Sequence, residues 1–167
     1  MSCAALHLKL LAARDARQQA LARALQAAWP ATLAISLNIA GADKAPPGAA
    51  ALFAAVMRRL VDSFPQCVSL HHGDDALGPY ALVGVALSAE QAKRRCLAIE
   101  EREPAARLVD LDVYGRDGVQ LGRAQLGLPA RRCLICGEAA VDCMREKRHP
   151  LEAIVARTDE LLVAYRA

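Results

Sequence analysis

Asp110 and Asp112 stand in an apolar run, Arg107-Leu108-Val109-Asp110-Leu111-Asp112-Val113-Tyr114. In a strand, residues two apart share a face, so both carboxylates would project together while Leu111 and Val113 meet a core. A paired-carboxylate edge on a rigid support suits Mg²⁺ with phosphates bound to it. The same alternation also describes the water-facing side of an antiparallel strand that holds no metal. The motif alone leaves both readings open.

A second constellation lies downstream. Arg131-Arg132-Cys133-Leu134-Ile135-Cys136 is followed by Cys143 and His149, a C-x2-C-x6-C-x5-H spacing. Three thiols and an imidazole in one short segment fit the ligand set of a structural Zn²⁺ site. If 138–148 is helical, Cys136 and Cys143 share a face, and His149 has to fold back just before Pro150 to join them. Buried packing thiols are the alternative. A redox C-x-x-C lacks the strand and helix context it needs. Cys3, Cys67 and Cys96 are isolated and read as packing residues.

The elements that must position these groups follow from periodicity and breakers. Residues 8–28 are rich in Ala, Leu, Arg and Gln and predict a helix ended by Pro30. Thr32–Ile39 alternates as a strand and runs into a loop, Asn38 to Lys44. A second helix is expected from Gly48 to Ser63 on the stripe Leu52, Val56, Leu60. Val68–His71 reads as a short strand, His71–Asp75 as a turn, and Tyr80–Leu87 as a buried strand. Ser88 caps a third helix over 89–103, with Glu90 and Gln91 in its first turn and Pro104 beyond it. The aspartate strand comes next, then a hairpin at Gly115-Arg116-Asp117-Gly118 and a returning strand, Val119–Arg123. Residues 152–164 form a final amphipathic helix over the sheet. The expected class is α+β, helices packed on a mixed or mainly antiparallel sheet of about five strands.

Composition narrows the function. The chain has 167 residues, 54% hydrophobic but only 4% aromatic, which disfavours an all-β architecture. We expect one domain, residues 1–167, carrying a Cys/His segment at 131–149. The net charge of +3 is too small to argue for sequence-independent nucleic-acid binding. Charge is uneven, however: Arg123 to His149 holds six Lys or Arg against three acids, which favours a phosphate-rich ligand or an acidic partner. The apolar start, Cys3 to Leu11, is interrupted by His7 and Lys9 and makes no convincing secretory signal. No membrane span is expected, the chain reads as cytoplasmic, and its six cysteines read as thiols or metal ligands.

The order Arg107-Leu108, Asp110-Leu111-Asp112-Val113, Gly118, Arg123, Leu128-Pro129, Arg131 to Cys136, Ala139, Cys143, Arg145, His149 carries a family likeness. So, more loosely, do Arg14-Asp15-Ala16-Arg17-Gln18, the Asn38–Lys44 loop and Gly78-Pro79. The chain resembles the apo-citrate lyase phosphoribosyl-dephospho-CoA transferases, also called holo-citrate-lyase synthases. It departs from them at Ala106, usually Gly, at Ala40, usually Pro, and at Tyr80, commonly acidic.

The resemblance implies transfer of phosphoribosyl-dephospho-CoA from triphosphoribosyl-dephospho-CoA to a serine of the citrate lyase acyl carrier subunit, with loss of diphosphate. Asp110 and Asp112 would hold Mg²⁺, and Arg14, Lys44, Arg107, Arg123 and Arg131 are candidates for phosphate contacts. Asp112, Glu100 and His149 are candidates for the base that takes the serine proton. The related transferase of malonate decarboxylase is similar to nucleotidyltransferases, which extends the expectation to a nucleotidyltransferase-like fold, although the usual upstream Gly-Ser signature is not evident. The competing reading is a non-catalytic, zinc-stabilised module that binds protein or nucleic acid. It has no use for an aspartate pair after Arg107.

Overall fold

The computed structural model describes residues 3–166, with the side chain of Cys3 outside the described part. Five strands form one antiparallel sheet in the order β2-β3-β1-β4-β5: β1 Ala31–Leu37, β2 Val68–Asp75, β3 Gly78–Val85, β4 Val109–Gly115 and β5 Gln120–Leu121. Among the described residues five α-helices accompany it: α1 Cys3–Leu25, α2 Ala49–Ser63, α3 Ala89–Glu100, α4 Ala140–Arg145 and α5 Leu151–Leu162. The architecture is α+β, as expected. Among the described residues no helix is long and apolar enough to cross a membrane.

Strand alternation divides the sheet into two unlike faces. Leu33, Ile35, Val83, Val85, Leu111 and Val113 point to one side, where Leu52, Val56 and Leu60 of α2, Ala92, Cys96 and Ile99 of α3 and Leu162 of α5 close the main core. Each fully buried Leu or Val there stabilises the fold by about 1.5–3 kcal/mol. The opposite face is covered only in part, by Ala20, Leu21 and Ala24 of α1 against Leu82, with Ala34, Leu70 and Tyr114 beside them. Trp29 lies on the same face against Gly84, where a Cβ would come within 2.5 Å of the indole.

Local chemistry sets the element ends. Ser88 and Gln91 form a reciprocal capping box at the start of α3, which the sequence foreshadowed. The expected turn at His71–Asp75 is instead strand, because His71, His72 and Gly73 pair with Leu82, Ala81 and Tyr80. The reversal falls at Ala76-Leu77, where Asp75 accepts from the Leu77 N–H at 2.8 Å and Gly78 adopts φ 88°. Arg107 lies outside the strand, since Pro104 opens a 3₁₀ turn that runs to Leu108. The returning strand is short: only Gln120 and Leu121 pair with β4 before a second 3₁₀ turn at Ala124–Leu126. The segment expected to be helical over 138–148 narrows to the six residues of α4.

Candidate functional site

The short β5 leaves part of β4's outer edge without a strand partner, and unpaired backbone groups are costly. Side chains fill the gap. Lys93 Nζ of α3 donates to the Leu111 carbonyl at 2.7 Å, and Glu100 accepts from the Leu111 N–H at 3.3 Å. Farther down the edge Arg131 donates to the carbonyls of Val109 and Arg107, both at 2.8 Å. The aspartate strand is therefore fixed on both edges.

On the sparsely covered face, Asp110 lies opposite Ser36, which lies opposite Tyr80, and Asp112 lies opposite Ala34. The two carboxylates are half-buried side by side, as the alternation predicts. Burial, with the charge of Asp110 second, pushes the Asp112 carboxyl above its usual range, against the pull of Lys93 and of the Gln120 amide. Gln120 Nε2 donates to Asp112 at 2.8 Å, and Arg131 forms an ion pair with Asp110. Each carboxylate thus holds a displaceable polar partner.

Two groups of cations gather near the end of the sheet where β3 and β4 begin. On one side, burial and then the proximity of Arg131 and Arg123 depress the Arg107 guanidinium. Its Nε is buried without a hydrogen-bond partner among the described residues, while Nη2 donates to the Arg132 carbonyl. Cations crowded in this way gain from an anion placed among them. Arg123 belongs to this group, but its guanidinium is engaged by Glu101 at 3.0 Å and Glu100 at 3.4 Å. On the other side, Lys44 is depressed by burial and by Arg14 near it, and its Nζ donates to the Ile39 carbonyl at 2.7 Å. Arg17 stands 4.3 Å over the Tyr80 ring, and donates to Asp75 at 2.7 Å and to the Gly78 carbonyl at 2.5 Å.

Of the three groups considered for the serine proton, only Asp112 faces this site. Glu100 is buried against Arg123 and the β4 edge. His149 sits 3.3 Å from Cys136 Sγ.

Ser36, Arg17, Tyr80, Gln120 and Lys93 were not singled out as site residues from the sequence. Gln120 was within reach: the Asp117-Gly118 hairpin signal sets it opposite Tyr114, on the face of Asp112. Arg17 and Tyr80 come together only through the packing of α1 on β2 and β3, which no local pattern reports.

Cys133, Cys136, Cys143 and His149 do converge, with ligand atoms all within 4.8 Å of one another, so they form a group that could hold a metal. Burial raises the Cys133 thiol, but N–H groups of Cys136 and Ile135 outweigh it and bring it down to about 6. Burial and the neighbouring sulfurs push Cys143 up to about 12. Cys96 is fully buried and Cys67 packs on the main core, as isolated thiols were expected to do. A cleft of about 810 Å³ opens beside the Cys/His group, lined by Asn38, Arg107, Arg132, Leu134, Met144 and Ile154 among others. That volume suits a small-molecule ligand. Arg131, which pairs with Asp110, also lines the cleft.

The family model described as apo-citrate lyase phosphoribosyl-dephospho-CoA transferase matches residues 7–165. A Vibrio cholerae serotype O1 protein named probable apo-citrate lyase phosphoribosyl-dephospho-CoA transferase is 43% identical over 89 residues, covering 53% of this chain and 50% of its own length. Proteins of Citrobacter koseri and Escherichia coli O9:H4, named apo-citrate lyase phosphoribosyl-dephospho-CoA transferase, are 37% identical over 87 residues, 52% of this chain and 48% of theirs. The chain spans about half the length of the curated relatives it matches. The match of the family model over nearly all of these residues, with the aspartate pair and the Cys/His group inside it, places the chain in the apo-citrate lyase phosphoribosyl-dephospho-CoA transferase family.

Proposed function

We propose that this chain transfers phosphoribosyl-dephospho-CoA from triphosphoribosyl-dephospho-CoA to a serine hydroxyl of the citrate lyase acyl carrier subunit. The serine oxygen bonds to the phosphorus nearest the ribose, the bond from that phosphorus to the bridging oxygen breaks, and diphosphate leaves with the electron pair. The serine proton passes to a base on the sheet face, where Asp112 is the nearest candidate. The observation that supports this reading is the pair of half-buried carboxylates on one sheet face, with Arg131 on Asp110 and the Arg107 guanidinium crowded by Arg131 and Arg123.

Two half-buried carboxylates are hard oxygen donors that fit Mg²⁺, and Asp110 and Asp112 would hold it. When bound, the ion neutralises phosphate charge as it develops on the leaving group. The chain's own side chains do the rest. Arg107, with its unpartnered Nε, receives a phosphate oxygen. Arg131 exchanges its bond to Asp110 for one to phosphate. Arg14 and Lys44 bind the far end of the polyphosphate, and Arg123, held beside Glu100, adds positive potential near Arg107 that favours an anion there. The cleft beside Arg107 takes the organic arm of the donor, apolar along Leu134 and Ile154 and cationic at Arg132. On this reading residues 1–167 are one transferase domain of nucleotidyltransferase type. A Zn²⁺ in the Cys/His group serves structure rather than chemistry.

Asp110→Asn and Asp112→Asn test it. Each is expected to lower transfer by about 10²–10³-fold, the usual cost of losing one electrostatic contributor to a charged transition state, with thermal stability close to that of the parent. Normal turnover in both variants would remove the carboxylates from the mechanism.

A further inference from the structure

Between Tyr114 and Thr158 a single side chain, Cys143, is buried. Such a stretch cannot offset the entropy of ordering its backbone by apolar burial. Within residues 127–150 regular structure is also slight: one isolated bridge between Arg132 and Ala139, and the six residues of α4. Yet the backbone follows a defined path. Cys133 N–H donates to the Glu138 carbonyl at 2.8 Å, Ala140 N–H to the Arg131 carbonyl at 2.8 Å, and Arg148 N–H to the Cys143 carbonyl at 3.0 Å. Two of these bonds start or end at a cysteine of the Cys/His group, and the third ends at Arg131, two residues before Cys133.

The side chains at the centre have the spacing of ligands. Cys136 Sγ lies 3.4 Å from Cys143 Sγ and 3.3 Å from His149 Nε2. A tetrahedral Zn²⁺ with bonds of about 2.3 Å to sulfur and 2.0 Å to nitrogen puts ligand atoms roughly 3.5–3.8 Å apart, slightly more than these contacts. The Ile135 N–H donates to Cys133 Sγ at 3.4 Å, the kind of outer bond that steadies a metal-bound thiolate. Three thiolates and an imidazole are soft to borderline donors and make a closed set, which selects zinc over Mg²⁺ and leaves no position open for substrate.

The same segment is fastened to the aspartate strand. Arg131, two residues before Cys133, pairs with Asp110 and donates to the carbonyls of Arg107 and Val109. Arg107 donates in turn to the Arg132 carbonyl. We infer that Cys133, Cys136, Cys143 and His149 form a closed structural Zn²⁺ site that staples residues 131–149 and thereby sets Arg131 against Asp110. The zinc site stands whether or not the chain transfers a prosthetic group.

The test is elemental analysis of the full chain purified without added metal, followed by Co²⁺ exchange and trypsin. The expected results are about one zinc per chain and, with Co²⁺, the absorption of a tetrahedral thiolate site. Chelation with 1,10-phenanthroline should speed cleavage at Arg131, Arg132, Arg145, Lys147 and Arg148 by about tenfold or more, as expected when local unfolding exposes a segment, while the sheet's circular dichroism persists. Cys133→Ala should lose the metal. His149→Cys, which keeps four ligands, should retain it and separates ligand loss from misfolding. Less than about a tenth of an equivalent of zinc without cobalt absorption overturns the site, as does a Cys136–Cys143 disulfide in the native protein. Unchanged trypsin cleavage after complete metal removal overturns the staple.

Discussion

Strand β4 and the Cys/His segment lie side by side but are held in place by different physics. In β4, Val109, Leu111 and Val113 are at most 1% exposed, and their burial fixes the register that aims Asp110 and Asp112. In the segment that supplies Arg131 most large apolar groups are turned outward, with Met144 71% exposed and Val141 54% exposed, and Leu134 alone of them packs on the main core. Its shape comes from polar ligands converging on one point. The site therefore joins a carboxylate platform set by the core to a cationic arm that owes little of its placement to apolar burial.

The comparison is broken most severely at Leu111. Leu111→Ala should cost about 3 kcal/mol, the usual price of a large-to-small change in a tight core, and should lower the midpoint of cooperative unfolding for the whole sheet. A loss confined to the 131–149 segment would show that β4 is not the platform.

A smaller effect is expected where α1 is pinned to the β2–β3 hairpin. Burial raises the Asp75 carboxyl, but the Arg17 bonds and the Leu77 N–H outweigh it and leave its pKa below the ordinary value. A carboxylate depressed on folding stabilises the native state fully above its unfolded pKa of about 3.9, and that stabilisation is lost as the pH falls through the folded value. Arg17→Ala should cost about 1–2 kcal/mol at neutral pH in a denaturant titration. The gap between parent and variant should narrow as the pH drops below about 4, and a gap constant down to pH 2 would contradict the assignment.

The smallest effects belong to the segment's surface. Val141→Ser removes an exposed side chain, and Arg145→Ala breaks an exposed pair with Asp142. Both should leave global stability within about 0.5 kcal/mol. A loss of several kcal/mol in thermal unfolding at either position would mean that this region carries a core of its own.

The sequence disclosed the parts of the molecule that obey local rules. Helix α2 follows from the Leu52, Val56, Leu60 stripe after Gly48, and the start of α3 from Ser88 with Gln91. The shared face of Asp110 and Asp112 follows from the pleat, and the convergence of Cys133, Cys136, Cys143 and His149 from ligand types at short spacing. What it hid depended on tertiary pairing. His71 to Asp75 carries turn residues, yet β3 draws it into the sheet. Arg17 over Tyr80 and the Arg131–Asp110 pair join residues far apart in the chain. No periodicity shows that Arg123 is spent on Glu100 and Glu101.

We propose that the carboxylate face and its arginines catalyse prosthetic-group transfer. The most direct measurement is the intact mass of apo citrate lyase acyl carrier subunit after incubation with this chain and triphosphoribosyl-dephospho-CoA, with and without Mg²⁺. The carrier should gain the mass of phosphoribosyl-dephospho-CoA on a serine, with release of diphosphate, only when the divalent ion is present. An unmodified carrier with every divalent metal tried, from protein whose fold is intact by circular dichroism, would contradict it.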